Sequence, residues 1–222
     1  MKSPLAVAAF LLAAWGGPGW AQRGPDGYVC SAETIFGIGG MDAEGVGEIM
    51  VRTDPDYRET GARFSYKVRE RLFGRGRMDA TWALPDAKSG AMGPIESLWL
   101  PFWTHLLDLP SVIEVSLDGA PPTSTPIADK TWLQIDRDGT VSGLRLSAKA
   151  GAAPELRGHR SFAYRVKSAG GLVMAGETFL LPDWKEASRR ISWGLKEARA
   201  KLRTKRCGRF IILSRPFEPG KP

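Results

Sequence analysis

The side chains able to exchange protons near neutral pH are few. His105 and His159 stand apart from one another, and no paired cysteine and histidine spacing of a metal site accompanies either. A histidine so isolated is ordinarily a satisfied structural residue. Ser65-Tyr66-Lys67 and Ser147-Ala148-Lys149 have a Ser-x-Lys spacing, but on a strand these side chains merely share a face. Asp136 and Asp138 lie beside Gly139 without the further oxygen ligands and downstream Glu of a calcium loop, which makes them turn residues. Neither Gly-x-Ser-x-Gly nor His-Glu-x-x-His occurs. No cofactor and no metal are therefore expected. A hydrolase or other enzyme is the alternative reading, with a site assembled only in three dimensions.

The strongest signal is cationic. Lys185, Arg189, Arg190, Lys196, Arg199, Lys201, Arg203, Lys205, Arg206 and Arg209 face only Asp183, Glu186 and Glu197 within one C-terminal segment, whose net charge equals the formal +7 of the whole chain. A concentrated positive face attracts polyanions through Coulomb attraction and counterion release, and its affinity falls with salt. Arg189, Arg190, Lys196, Arg199, Arg203 and Arg206 are thus the candidate binding residues. A second basic group, Arg63, Lys67, Arg69, Arg71, Arg75 and Arg77, is the candidate for a supporting role.

Trp99-Leu100-Pro101-Phe102-Trp103, followed by Leu106 and Leu107, is the other informative segment. Pro101 suits the first turn of a short helix, which would put Phe102, Trp103, Leu106 and Leu107 on one stripe. Such a stripe belongs in a core. Exposed, the same aromatics would form a sugar-stacking platform or a hydrophobic patch for a partner.

The elements that must position these groups are mostly strands. The chain is 43% apolar and 25% charged, with 26 Gly and 16 Pro, so it has the material for a core and many turns. Phe64, Tyr66 and Val68 alternate with Arg63, Ser65, Lys67 and Arg69. Met78, Ala80, Trp82 and Leu84 repeat the period of two, so residues 62–84 read as a hairpin. Ile113, Val115 and Leu117 run into Asp118-Gly119, and Leu133 and Ile135 run into Asp138-Gly139, both strand-then-turn signatures. Leu144 and Leu146, then Phe162, Tyr164 and Val166, then Val173 to Leu180 continue the alternation. By contrast, residues 22–47, rich in Gly, read as loop with short strand pieces at most.

Asp183 with Glu186 three positions on is a capping pattern. Trp184, Ala187, Ile191, Leu195, Ala198 and Leu202 follow at helical spacing, predicting an amphipathic helix of about twenty residues that ends near Cys207-Gly208. Residues 210–213 are expected as a last strand. The fold class is therefore mainly β, an antiparallel sandwich or open barrel of about eight to ten strands with a C-terminal amphipathic helix.

Ile135-Asp136-Arg137-Asp138-Gly139-Thr140-Val141 is similar to the central hairpin of TonB-type C-terminal domains. The likeness is confined to that segment and implies a strand, a turn and a strand.

A short basic start, an apolar stretch from Pro4 to Trp15 and the run Gly16-Gly17-Pro18-Gly19 have the three-part form of a secretory signal. Residues 1–21 are read as that signal, cleaved after Ala21, with 22–222 as a single mature β-rich domain. Its Pro/Thr/Ser segment 119–130 reads as a long loop, or as a boundary between halves. No apolar run reaches the about 20 residues of a membrane span. Export to the periplasm or beyond makes Cys30 and Cys207 one disulfide, a long-loop staple valued at about 5 kcal/mol on chain entropy. The expected function is that of a non-catalytic envelope binding or accessory protein. Its partner is expected to be an anionic envelope component or an acidic protein, with nucleic acid disfavoured there.

Overall fold

The computed structural model describes residues 27–36, 43–70, 75–85, 91–105, 109–127, 132–136 and 140–210. The signal segment 1–21 and the turn at Asp138-Gly139 lie outside them. The described chain is mainly β, with two antiparallel sheets and one α-helix. Its strands are β1 (Gly27–Ile35), β2 (Ala43–Thr53), β3 (Glu59–Glu70), β4 (Gly76–Ala83), β5 (Ile95–His105), β6 (Pro110–Leu117), β7 (Thr123–Pro126), β8 (Leu133–Ile135), β9 (Thr140–Ser147), β10 (Ser161–Ser168), β11 (Val173–Leu180) and β12 (Gly208–Phe210). The helix α1 spans Trp184–Arg203. The larger sheet runs β12-β1-β2-β3-β4-β5-β9-β8, and the smaller runs β11-β10-β6-β7.

Alternation explains the layers. Phe64, Tyr66, Trp82, Leu98, Leu100, Leu144 and Leu146 are fully buried, and register brings Phe64 to Trp82, Leu98 to Leu146 and Leu100 to Leu144 on one face. The smaller sheet contributes Phe162, Tyr164 and Phe179, whose rings stack with centroids 6.1–6.2 Å apart. Tyr66 donates its hydroxyl to the Leu180 carbonyl across the two sheets, at 3.1 Å. Helix α1 closes the core beside β1 and β2 through Ala187, Ile191, Leu195 and Ala198.

The predicted hairpin over 62–84 is present as the antiparallel β3–β4 pair, and β8 pairs antiparallel with β9 as the Asp-Gly signature requires. At the other such signature, Asp118 and Gly119 both have positive φ (52° and 74°), and the Ala120 N–H reaches the Leu117 carbonyl. That is the type I′ turn for which Asp-Gly is suited.

Three expectations need correction. The glycine-rich stretch before residue 47 is no loop where described, because it holds β1 and the start of β2. Gly45 and Gly47 are strand residues because rings fill their side-chain space: a Cβ would stand 2.4 Å from Tyr66 Oη at Gly45 and 2.5 Å from Phe36 Cε2 at Gly47. Segment 119–130 contains the edge strand β7, paired with β6. Trp99–Trp103 is not the start of a helix but the middle of β5, with a bulge against β9 between Pro101 and Thr104. The mainly β expectation agrees with the structure, in which the described residues form twelve strands in two sheets with one C-terminal helix.

The cysteine expectation agrees with the structure. Cys30 and Cys207 form a disulfide with Cα atoms 4.5 Å apart, across 177 positions of sequence. It ties the chain leaving α1 to β1, where β12 then pairs. Residues 211–213 lie outside the described residues.

Candidate functional site

Helix α1 is built from both ends. Asp183 caps it by accepting from the backbone N–H groups of Lys185 (2.8 Å) and Glu186 (3.0 Å). Those two bonds, that of Glu186 foremost, hold the Asp183 carboxyl below the usual carboxylate range. The helix ends at Arg203, earlier than expected, with Thr204 as C-cap and Lys205 left-handed at φ 54°. Its inner face comes so close to β2 that a Cβ on Gly194 would lie 2.5 Å from Ile49 Cδ1.

The six predicted binding residues divide into two groups. Arg190 and Arg199 face the sheet. Arg190 donates to Glu186 (2.9 Å), to Thr34 Oγ1 (3.2 Å) and to the Ile35 carbonyl (2.5 Å), and lies over the Phe36 ring. Arg199 grips Glu59 through two bonds of 3.0 and 2.8 Å. Lys201 helps by donating to the Ser31 carbonyl at 2.6 Å. These cations dock the helix against β1 and β3.

Arg189, Lys196, Arg203 and Arg206 are exposed. Arg189 meets Glu186 at 3.3 Å but keeps a side chain 69% exposed. Along the outward face, Lys185, Arg189, Trp193, Lys196, Ala200 and Arg203 follow at steps of four, four, three, four and three, which is one stripe of an α-helix. Trp193, at its middle, is 57% exposed. Sequence reasoning passed over it because it falls off the apolar stripe. Its position between Arg189 and Lys196 was the available signal.

The second basic group has a different fate. On the outer face of the larger sheet Arg63 pairs with Glu96 (2.7 Å), Lys67 with Glu48 (2.5 Å) and Arg69 with Glu44 (2.6 Å). Arg77 pairs with Glu177 of the smaller sheet. Asp79 sits among them, and burial pushes its carboxyl above the ordinary range despite the pull of Lys67. The hairpin therefore carries a neutralised ladder, while Arg71 lies outside the described residues.

Among the described residues the protic groups have nearby hydrogen-bond partners. His159 Nδ1 meets Asp118 Oδ2 at 2.9 Å, and Asp118 also accepts from the N–H groups of Arg160 and Ser161. The bond to His159, then the two backbone bonds, holds the Asp118 carboxyl below its usual value. His105 closes β5, and its side chain lies outside the described residues. Ser65 is paired with Thr81, Ser147 accepts from the backbone N–H of Lys149, and Asp136 accepts from Ser142. Among the described residues no group of three or more His, Cys, Asp or Glu is placed to hold a metal ion.

The aromatic segment does not all enter the core. Alternation along β5 buries Leu98, Leu100 and Phe102 and turns Trp99, Pro101 and Trp103 outward, leaving Trp103 73% exposed. The Trp99 indole lies across two glycines on neighbouring strands: a Cβ at Gly143 would be 2.7 Å from its Nε1, and one at Gly76 3.4 Å from its Cζ3. Its N–H is sealed there without a partner, a burial that costs about 1–3 kcal/mol.

The fold and this geometry define a two-sheet antiparallel β protein with a helix docked by salt bridges and a disulfide. Comparison with protein-family models, with curated proteins and with solved structures finds no match to this chain.

Proposed function

We propose that the protein is an exported, non-catalytic binding protein that lays the outward face of α1 on an anionic envelope surface. The observation that carries this reading is the stripe Lys185, Arg189, Trp193, Lys196 and Arg203, in which cations flank an exposed tryptophan. Cations are drawn to anionic head groups at about 1 kcal/mol each near the surface. Tryptophan favours the boundary where its ring enters the apolar layer and its N–H stays wet. A stripe of twenty helical residues is about 30 Å long, enough to lie flat across several head groups. Among the described residues no helix is long and apolar enough to cross a membrane, and the proposed contact is peripheral.

Export is supported by the Cys30–Cys207 disulfide, a bond that persists in oxidising compartments. Fixing the helix by this bond and by Arg190, Arg199 and Lys201 presents the stripe as a rigid surface.

Co-sedimentation of the oxidised mature protein with vesicles tests the reading. Vesicles containing phosphatidylglycerol are expected to carry the protein down at low salt and release it as salt rises, whereas purely zwitterionic vesicles do not. Trp193→Ala should weaken the binding about tenfold without moving the melting temperature. Equal binding to both vesicle types, or none to either, would overturn the proposal.

A further inference from the structure

Toward the other edge of the larger sheet, residues of β3, β4, β5, β8 and β9, with Glu177 of β11, line an open cleft of about 770 Å³. We propose that this cleft binds a neutral oligosaccharide, with Trp99 as its floor and Trp103 as its wall. The inference is independent of the helix.

Three observations converge. Trp99, Pro101 and Trp103 project from alternate positions of one strand, so the platform is about 13 Å long at the usual strand rise, enough to run beneath more than one pyranose ring. Both tryptophans are placed for their faces rather than for filling a core. Trp103 is the most exposed of the large apolar side chains among the described residues. Trp99 covers Gly76 and Gly143, a task a phenylalanine would perform without sealing away an unpaired donor, and what the indole adds is planar area. The C–H faces of sugar rings pack on such surfaces through dispersion and weak C–H contacts.

The rim supplies the matching polarity. Gln134, Asp136 and Ser142 border one side, and Glu70, Arg75 and Arg77 the other. Planar amide, carboxylate and guanidinium groups suit neighbouring hydroxyls, each offering two atoms to two oxygens. Charge decides the ligand class. With Glu177, the described lining residues set three carboxylates against two guanidiniums, so among them there is no positive excess of the kind that attracts phosphate, nucleic acid or acidic glycans.

The test is an array of neutral α- and β-linked oligosaccharides, followed by calorimetry with whichever glycan is retained, using the full oxidised protein. Saturable binding is expected, unchanged by salt and by neutralising Arg189, Lys196 and Arg203. Trp103→Ala should lower affinity at least tenfold. Trp99→Phe, which still covers the two glycines, should lower it severalfold while the protein remains folded. An array with no retained neutral glycan, retention of acidic glycans alone, or binding indifferent to Trp103→Ala would each overturn the inference. So would preferential capture of a proline-rich peptide, the other ligand that packs on tryptophan faces.

Discussion

The β3–β4 hairpin and helix α1 are both dense in Lys and Arg, yet the fold treats them oppositely. Across the hairpin, Arg63, Lys67, Arg69 and Arg77 each meet a glutamate contributed by another strand. On the helix, it is the cations turned toward the sheet that bond to groups contributed by strands. Arg190 and Arg199 are gripped, while Lys196 and Arg203, and Arg206 just past the helix end, face solvent. Charge counted along a sequence is thus a poor guide to surface potential in a β protein, because neighbouring strands bring distant acids into register. A helix face turned away from the sheet has only its own sequence to neutralise it.

The largest effect that would sharpen this contrast concerns what holds the helix. Reducing the Cys30–Cys207 bond should cost about 2–5 kcal/mol, read as a lowered melting temperature. Amide exchange should accelerate most in α1 and β12 and least in the β3–β4 ladder. An unchanged melting temperature on reduction would show that the docking is carried by Arg190, Arg199, Lys201 and apolar packing alone.

A smaller effect separates two carboxylates. Asp79, on the hairpin, has its pKa raised by burial, so its ionisation opposes folding at neutral pH and that opposition disappears as pH falls through the raised value. Asp183, at the helix N-terminus, has its pKa lowered by backbone hydrogen bonds. Its contribution is present above the ordinary carboxylate value and is lost as pH falls through the lowered one. Asp79→Asn should raise the melting temperature near neutrality and flatten the gain on mild acidification, and Asp183→Asn should flatten only the loss at lower pH. Melting curves from pH 7 downward for both variants check the signs, and the reverse assignment would break the contrast.

What the sequence revealed follows from the range of the interactions. Period-two alternation located β3, β4, β6 and β10, and helical spacing with Asp183 as cap located α1, because these signals are local. The two cysteines admitted one pairing once export was assumed. Gly45 and Gly47 were misleading because their partners, Tyr66, Phe36 and Phe64, stand on other strands or beyond the strand end. Without those rings in view, glycine reads as turn. Pro101 was misleading for a similar reason, since its missing N–H is tolerated at a bulge facing β9. In the candidate site, the basic residues were visible but not their sorting, which depends on Glu59, Thr34 and the Ile35 carbonyl across the interface. Trp193 was legible only from a wheel that asks what stands opposite the apolar stripe.

The most direct measurement compares two triple variants that remove equal charge, Arg189→Gln with Lys196→Gln and Arg203→Gln on the helix, and Arg63→Gln with Lys67→Gln and Arg69→Gln on the hairpin. Both are titrated with phosphatidylglycerol vesicles at low salt after circular dichroism confirms the fold. The helix variant should lose about a hundredfold in affinity, at about 1 kcal/mol per cation, and the hairpin variant should bind nearly as the parent protein does. Equal losses would mean that net charge, not the outward face of α1, governs the interaction, and would contradict the account.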